Sequence, residues 1–314
     1  MRKAITIPFF MIFVIIAGSI ILLFFFSLAQ RARTTSEIKL DLALIRTMET
    51  MYVGALQSIA TAQNFSVVKK IAFSCSDFPA CNCLSKIGKA AVEFKEKVIF
   101  AESLIEPPKG IFWSLDWNAP FRATNFLYVT DINYHYIFVY DKNDSISLEL
   151  KKIINKTMPE LISFEFVEKE NAIKLNYKDR PKVKIVFLQT KPFALPKGVK
   201  GVVINETLPI TEGDVAIIFG SIFSGDQNIY DCGISKAAER LEKVSKVYSK
   251  ALEGINVPSE CLGLIESAIS VLGNLAEKAK EVKRDAAVEK IKPLISDLNQ
   301  TNWNLIYAGC PQIY

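Results

Sequence analysis

The chain has 314 residues, half of them hydrophobic, with 38 Lys and Arg against 33 Asp and Glu and a net charge of +5. That length buries a sizeable core, or two. A single histidine, His135, and the absence of any G-x-S-x-G stretch or paired C-x2-C spacing argue against imidazole-based nucleophilic catalysis and against a zinc site. No Gly-rich loop or base-stacking motif accompanies the positive charge, which excludes nucleic acid as a partner.

Residues 4–29 are uncharged and strongly apolar, flanked by Arg2 and Lys3 on one side and by Arg31 and Arg33 on the other. At about 1.5 Å per helical residue this run crosses a hydrocarbon layer of about 30 Å. A cleaved signal has a much shorter apolar region, so residues 1–30 read as a retained transmembrane anchor. Flanking charge alone leaves the orientation balanced. Six cysteines and five N-x-S/T sequons, at Asn64, Asn143, Asn155, Asn205 and Asn299, tip it towards a cytoplasmic N-terminus and an extracytoplasmic body. Chance alone would supply about two such sequons.

Lys3-Ala4-Ile5-Thr6 ahead of the apolar stretch resembles the class III signal of archaeal and type IV pilin-like proteins. The resemblance covers residues 1–63. It implies cutting after Ala4 and an apolar helix that continues into an amphipathic part and forms a filament spine. Pro8 stands where those proteins commonly carry an early glutamate. The spacing of Ile38, Leu42, Ile45, Met48, Tyr52, Leu56 and Ile59 predicts a helical stalk over 31–63, continuous with the span.

Residues 64–230 read as a cysteine-bearing segment followed by an α/β body. The aromatic stretch Ile111–Trp117 is either an interfacial belt or core beneath a sheet. Strands are expected at Tyr134–Tyr140, Ser163–Val167, Lys182–Leu188, Val199–Ile204 and Asp214–Phe219. A helix capped by Ser145 is expected at Ser145–Thr157. Strand, helix, strand gives a βαβ unit, and the later strands, lacking helices between them, predict a partly antiparallel sheet.

Asp141-Lys142-Asn143-Asp144-Ser145 follows the first of these strands, where α/β sheets build sites. It resembles the D-x-S-x-S metal-adhesion motif of von Willebrand A-type domains, with Asn143 in place of a serine. The resemblance implies Asp141, Asn143 and Ser145 as metal ligands; an Asx turn and a helix cap use the same residue types. Residues 174–200 carry eight basic residues against one acid, with Lys182 and Lys184 on one strand face. They are read as a basic patch for lipid headgroups or an acidic partner, or as lysines guarding a sheet edge.

Residues 231–314 read as helical. Apolar 3-4 spacing from Ile234 to Ile255 and from Ile265 to Val282, broken by Gly254–Pro258, predicts an antiparallel hairpin, and a third helix follows over 286–304. An antiparallel pair separates Cys232 from Cys261 by about 30 Å, too far to bridge. This favours Cys261 with Cys310, Cys232 with one of Cys75, Cys81 and Cys83, and a small loop closed by the other two.

The fold class expected is mixed α+β and α/β: a transmembrane helix with stalk, a mixed-sheet body and a C-terminal antiparallel helical bundle. The function expected is a single-pass envelope or surface interaction protein, non-enzymatic and without cofactor, whose partners are the bilayer and another envelope protein. A pilin-like filament component and an anchored metal-dependent domain at Asp141 are the alternatives.

Overall fold

The computed structural model describes residues 6–58, 60–172, 182–188, 201–204 and 210–314. The signal-like Lys3-Ala4-Ile5, the sequon Asn205 and six of the eight basic residues of 174–200 lie outside them.

One helix, α1 (Thr6–Gln57), joins the apolar run to the stalk; it stops short of the expected 63, because a β-strand begins at Ala62 and pairs into a sheet. Its large apolar side chains from Phe10 to Leu28 are all exposed, and it is long and apolar enough to span a membrane. Residues 30–40 stay exposed apart from half-buried Ile38, a length of about 16 Å. From there Asp41, Ile45, Met48 and Tyr52 turn one buried stripe into the body.

Leu42, expected in that stripe, is 40% exposed, and Asp41 takes the inward place. The reason is electrostatic. Asp41 accepts hydrogen bonds from Lys69 Nζ at 2.6 Å and from the Lys89 amide at 3.2 Å. Gly88, at φ +55°, makes room for the carboxylate; a Cβ there would lie 2.2 Å from Asp41 Oδ2. The helix ends where sheet side chains take its last carbonyls. Asn125 Nδ2 donates to Leu56 O, and Ser114 Oγ donates to Ser58 O at 2.8 Å.

Two four-stranded sheets follow, built from β1 (Ala62–Ser66), β2 (Ile71–Cys75), β3 (Cys83–Ile87), β4 (Ala90–Glu93), β5 (Ile99–Ala101), β6 (Leu104–Ile105), β7 (Lys109–Asn118) and β8 (Arg122–Asp131). Their orders are β1-β7-β8-β5 and β4-β3-β2-β6. The first is buried on both faces. Ile111, Trp113, Leu115, Trp117, Phe126 and Tyr128 point into one hydrophobic cluster; Phe112, Leu127 and Val129 point into the other, with Tyr52. That is strand alternation with both sides covered. Ile111–Trp117 is therefore core, not a membrane belt.

The third sheet is built from β9 (Tyr134–Tyr140), β10 (Ser163–Glu168), β11 (Lys182–Leu188) and β12 (Gly201–Ile204), in the order β10-β9-β11-β12. The helix α2 (Ser145–Thr157) joins β9 to β10, and the short α3 (Lys169–Ala172) follows β10. Every pairing among the described residues is parallel. This corrects the expectation of a partly antiparallel sheet; the antiparallel pairs lie in the two sheets before it. The cap of α2 is Asp144, whose carboxylate accepts from the Ile146 amide, rather than Ser145.

Helices α4 (Glu212–Phe223), α5 (Gln227–Glu253), α6 (Ser259–Asp285) and α7 (Lys292–Tyr307) complete the chain. The expected strand Asp214–Phe219 lies inside α4. Thr211 and Asp214 form a reciprocal capping box that starts it. α5 and α6 pack side by side across the turn at 254–258. Pro293 falls in the first turn of α7, where proline needs no partner for its missing N–H. The larger hydrophobic cluster runs from Val98 to Ile313, so helices and sheets share one core.

Tyr52 is fully buried among Phe73, Phe94 and Phe112, with ring centroids 6.4, 5.8 and 5.2 Å away. Tyr52→Ala should cost about 3–5 kcal/mol in chemical denaturation of the full chain. Tyr52→Phe, which keeps the ring, should stay within about 1 kcal/mol of the parent.

Candidate functional site

A seam of charge lies between the first and third sheets. Asp131 ends β8 and Glu102 follows β5; opposite them, Lys182 and Lys184 open β11. Strand alternation puts both lysines on one face, and that face meets acids. Lys182 Nζ reaches Asp131 Oδ2 at 2.8 Å and Glu106 Oε2 at 3.1 Å. Lys184 Nζ donates to Glu102 Oε1 and to Ser224 O, both at 2.8 Å. Tyr136 adds a donor to Glu102 at 3.2 Å, and its oxygen lies 2.7 Å from Thr130 Oγ1.

The two described members of the basic patch are therefore half-buried partners of two buried acids, Asp131 and Glu102. They do not form an open surface for headgroups, and β11 is an inner strand rather than a guarded edge. The other six basic residues of 174–200 lie outside the described residues.

Burial acts first on these groups. It pushes the Glu102 carboxyl above its ordinary range, while Lys184 and Tyr136 pull it back down. It likewise raises the Tyr136 phenol, and the Glu102 charge adds to that rise. On Lys182 burial lowers the pKa, but hydrogen bonds to Asp131 and Glu106 outweigh it and the net shift is upward. Glu106, held by Lys70 and Lys182, stays ionised below the usual range.

Beside the seam is a cleft of about 670 Å³. Val183 and Val202 form one wall, Ile217 and Ile218 the other, with Glu102, Tyr134 and Lys184 reaching it from the seam and Asp226 at its end. The charges at its floor already satisfy one another. This arrangement locks two sheets together.

Asp141 does sit at the carboxyl end of β9, beside the point where strand order reverses between β9 and β11. Its Oδ1 accepts from the Asn143 amide at 2.9 Å, its own amide donates to Ser147 Oγ at 2.9 Å, and Lys169 Nζ lies 3.6 Å from Oδ2. These are the bonds of an Asx turn, and the Lys169 ammonium supplies the positive charge that a metal ion would bring.

His135 is flanked on its strand face by Ser163 Oγ at 2.7 Å from Nδ1 and Glu165 Oε1 at 3.2 Å from Nε2. Sequence spacing does not announce this trio; it follows from the parallel register that sets Ser163 opposite His135. It lies at the amino ends of β9 and β10, the end of an α/β sheet opposite to where sites form.

All six cysteines are bonded, as Cys75–Cys83, Cys81–Cys232 and Cys261–Cys310. No family model, curated protein or solved structure matches the chain.

The seam makes a pH-dependent prediction. An acid whose folded pKa lies above its unfolded value of about 4.5 binds its proton more tightly when folded. Its contribution is greatest below the unfolded pKa and is lost as pH rises through the folded one. Removing Lys184 widens that gap. Lys184→Met should therefore lose about 3 kcal/mol or more at pH 7. The loss should shrink as the pH is lowered towards the acid range and Glu102 takes up its proton, read from denaturant titrations at both ends. A loss independent of pH would place the effect in packing instead.

Proposed function

We propose that this chain is a membrane-anchored surface protein that works through contacts rather than catalysis, as an interaction or assembly component of the cell envelope. One observation carries the reading: α1 leaves an exposed apolar half and runs without interruption into the core of the body. The body is thus rigidly mounted, standing about 16 Å beyond the apolar run. A rigid mount suits a protein that presents a surface at a fixed height.

We place the body outside the cytoplasm. Three disulfides that use every cysteine suit an oxidising compartment. The sequon asparagines Asn64, Asn143, Asn155 and Asn299 are all exposed, as glycan acceptors must be.

The same helix favours a second reading, a pilin-like filament subunit. In that family the apolar half of such a helix packs against other copies to form the spine, and the resemblance at Lys3-Ala4-Ile5 points the same way.

Intact and non-reducing peptide mass spectrometry on protein from its native membrane tests both. An uncut N-terminus with three bridges and glycans on exposed sequons supports the anchored outward body. A chain beginning at Ile5 supports the filament reading over it. Six free thiols without glycans would overturn the outward placement.

A further inference from the structure

The two disulfides at the base of the second sheet are not independent of one another. Cys75 and Cys83 face each other across β2 and β3. Cys81 lies in the loop between them, at φ +51°. Cys232 reaches in from the second turn of α5 and is fully buried. The Sγ atoms of Cys75, Cys83 and Cys232 lie within 4.8 Å of one another, although they belong to two different bonds. Cys81 is bonded to Cys232, so four sulfurs meet in one knot.

The backbone that carries them is held by other bonds as well. The Ser76 amide donates to Asn82 O at 3.0 Å, and the Asn82 amide donates to Ser76 Oγ at 2.9 Å, closing the loop. Asn228 Nδ2 on α5 donates to Asp77 Oδ1 at 3.1 Å, tying the loop to the helix. Breaking the sulfur bonds leaves these contacts in place. Ile71, Phe73, Ile87 and Ile229 pack around the knot's base in the same hydrophobic cluster as Cys83 and Cys232.

We propose that Cys75, Cys81, Cys83 and Cys232 form a reduction-gated metal site. Oxidised, they are the two disulfides seen here. Reduced, they bind one thiophilic ion of the Zn²⁺ class between the β2–β3 loop and α5. Reduction is balanced by a dithiol: each disulfide receives two electrons and two protons while one dithiol closes into its own disulfide. The ion then binds four thiolates, and their four protons go to solvent. Tetrahedral zinc holds thiolates at about 2.3 Å, which sets neighbouring sulfurs about 3.8 Å apart. Reduction lets each bonded pair open towards that spacing, and Cys75, Cys83 and Cys232 already lie within 4.8 Å of one another; Cys81, next to Cys232 through their bond, moves in with the β2–β3 loop. An all-sulfur donor set selects zinc-like ions over Mg²⁺ or Ca²⁺. The sequence spacing C-x5-C-x-C hides the site, because the fourth donor comes from a helix 149 residues further on.

The test uses the full chain in detergent, reduced with a dithiol that is then removed under argon, and loaded with Co²⁺ or Zn²⁺. The expected result is one metal per chain after gel filtration, with the thiolate-to-cobalt absorption of a tetrahedral sulfur site. Zinc should also raise the melting temperature of the reduced chain. Cys232→Ser should lose the metal, and so should Cys75→Ser, which serves if the buried Cys232 variant fails to fold. The double variant Cys261→Ser, Cys310→Ser should still bind one. No retained metal, uptake unaffected by loss of Cys75 or Cys232, or a reduced chain that melts identically with and without zinc would each overturn the proposal.

Discussion

Tyr52 is where the long exposed helix of the chain enters its folded body. Its ring is enclosed by Phe73 from the second sheet, by Phe112 from the first and by Phe94 between them. Met48 and Ile45 continue that contact one and two turns earlier, and Asp41 closes it with Lys69. Side chains on one face of a helix this deep in a core leave the backbone no freedom to tilt. The exposed apolar half of α1 is an extension of the same helix, so its direction relative to the body is set by packing around residue 52.

The first sheet is the slab on which the rest is assembled. Because β7 and β8 are covered on both faces, one side holds α1 and the second sheet while the other holds α4 and the third sheet, and α5 contributes side chains to both clusters. Hydrophobic packing explains why these layers meet. The ion pairs of Lys182 and Lys184 explain their register. A buried charge without its partner costs several kcal/mol, so the third sheet docks in the position that pairs both lysines. The Cys81–Cys232 bond adds a covalent tie between the second sheet and α5, and Cys261–Cys310 does the same between α6 and the end of the chain.

Regular, one-sided elements were legible in the sequence. The apolar stripe of α6 at Ile265, Ala268, Leu272, Leu275, Ala279 and Val282 is buried throughout, and β9 and α2 fall at their expected bounds. Elements buried on all sides, or inverted, were not. Ala216, Ile217, Ile218, Phe219, Ile222 and Phe223 of α4 are all buried, which erases the helical period. Only the capping pair Thr211 and Asp214 marked the start. In β3, Ser85 points inward and Leu84 outward, against the polarity rule. The charge seam was invisible because its members are scattered from Glu102 to Lys184, and a run of lysines reads as surface until the acids opposite it are placed.

The most direct test of a rigid helix joining the apolar run to the core is a distance measurement along it. Spin labels carried on non-canonical residues at exposed Ser27 and Val53 leave the disulfides untouched. One unbroken helix separates those positions by about 39 Å. Pulsed electron resonance on the chain in a bilayer mimic should give a single narrow distribution near that value. A broad distribution, or one centred well below it, would mean that the stalk bends or unfolds between residues 30 and 40, and the body would then be tethered rather than mounted.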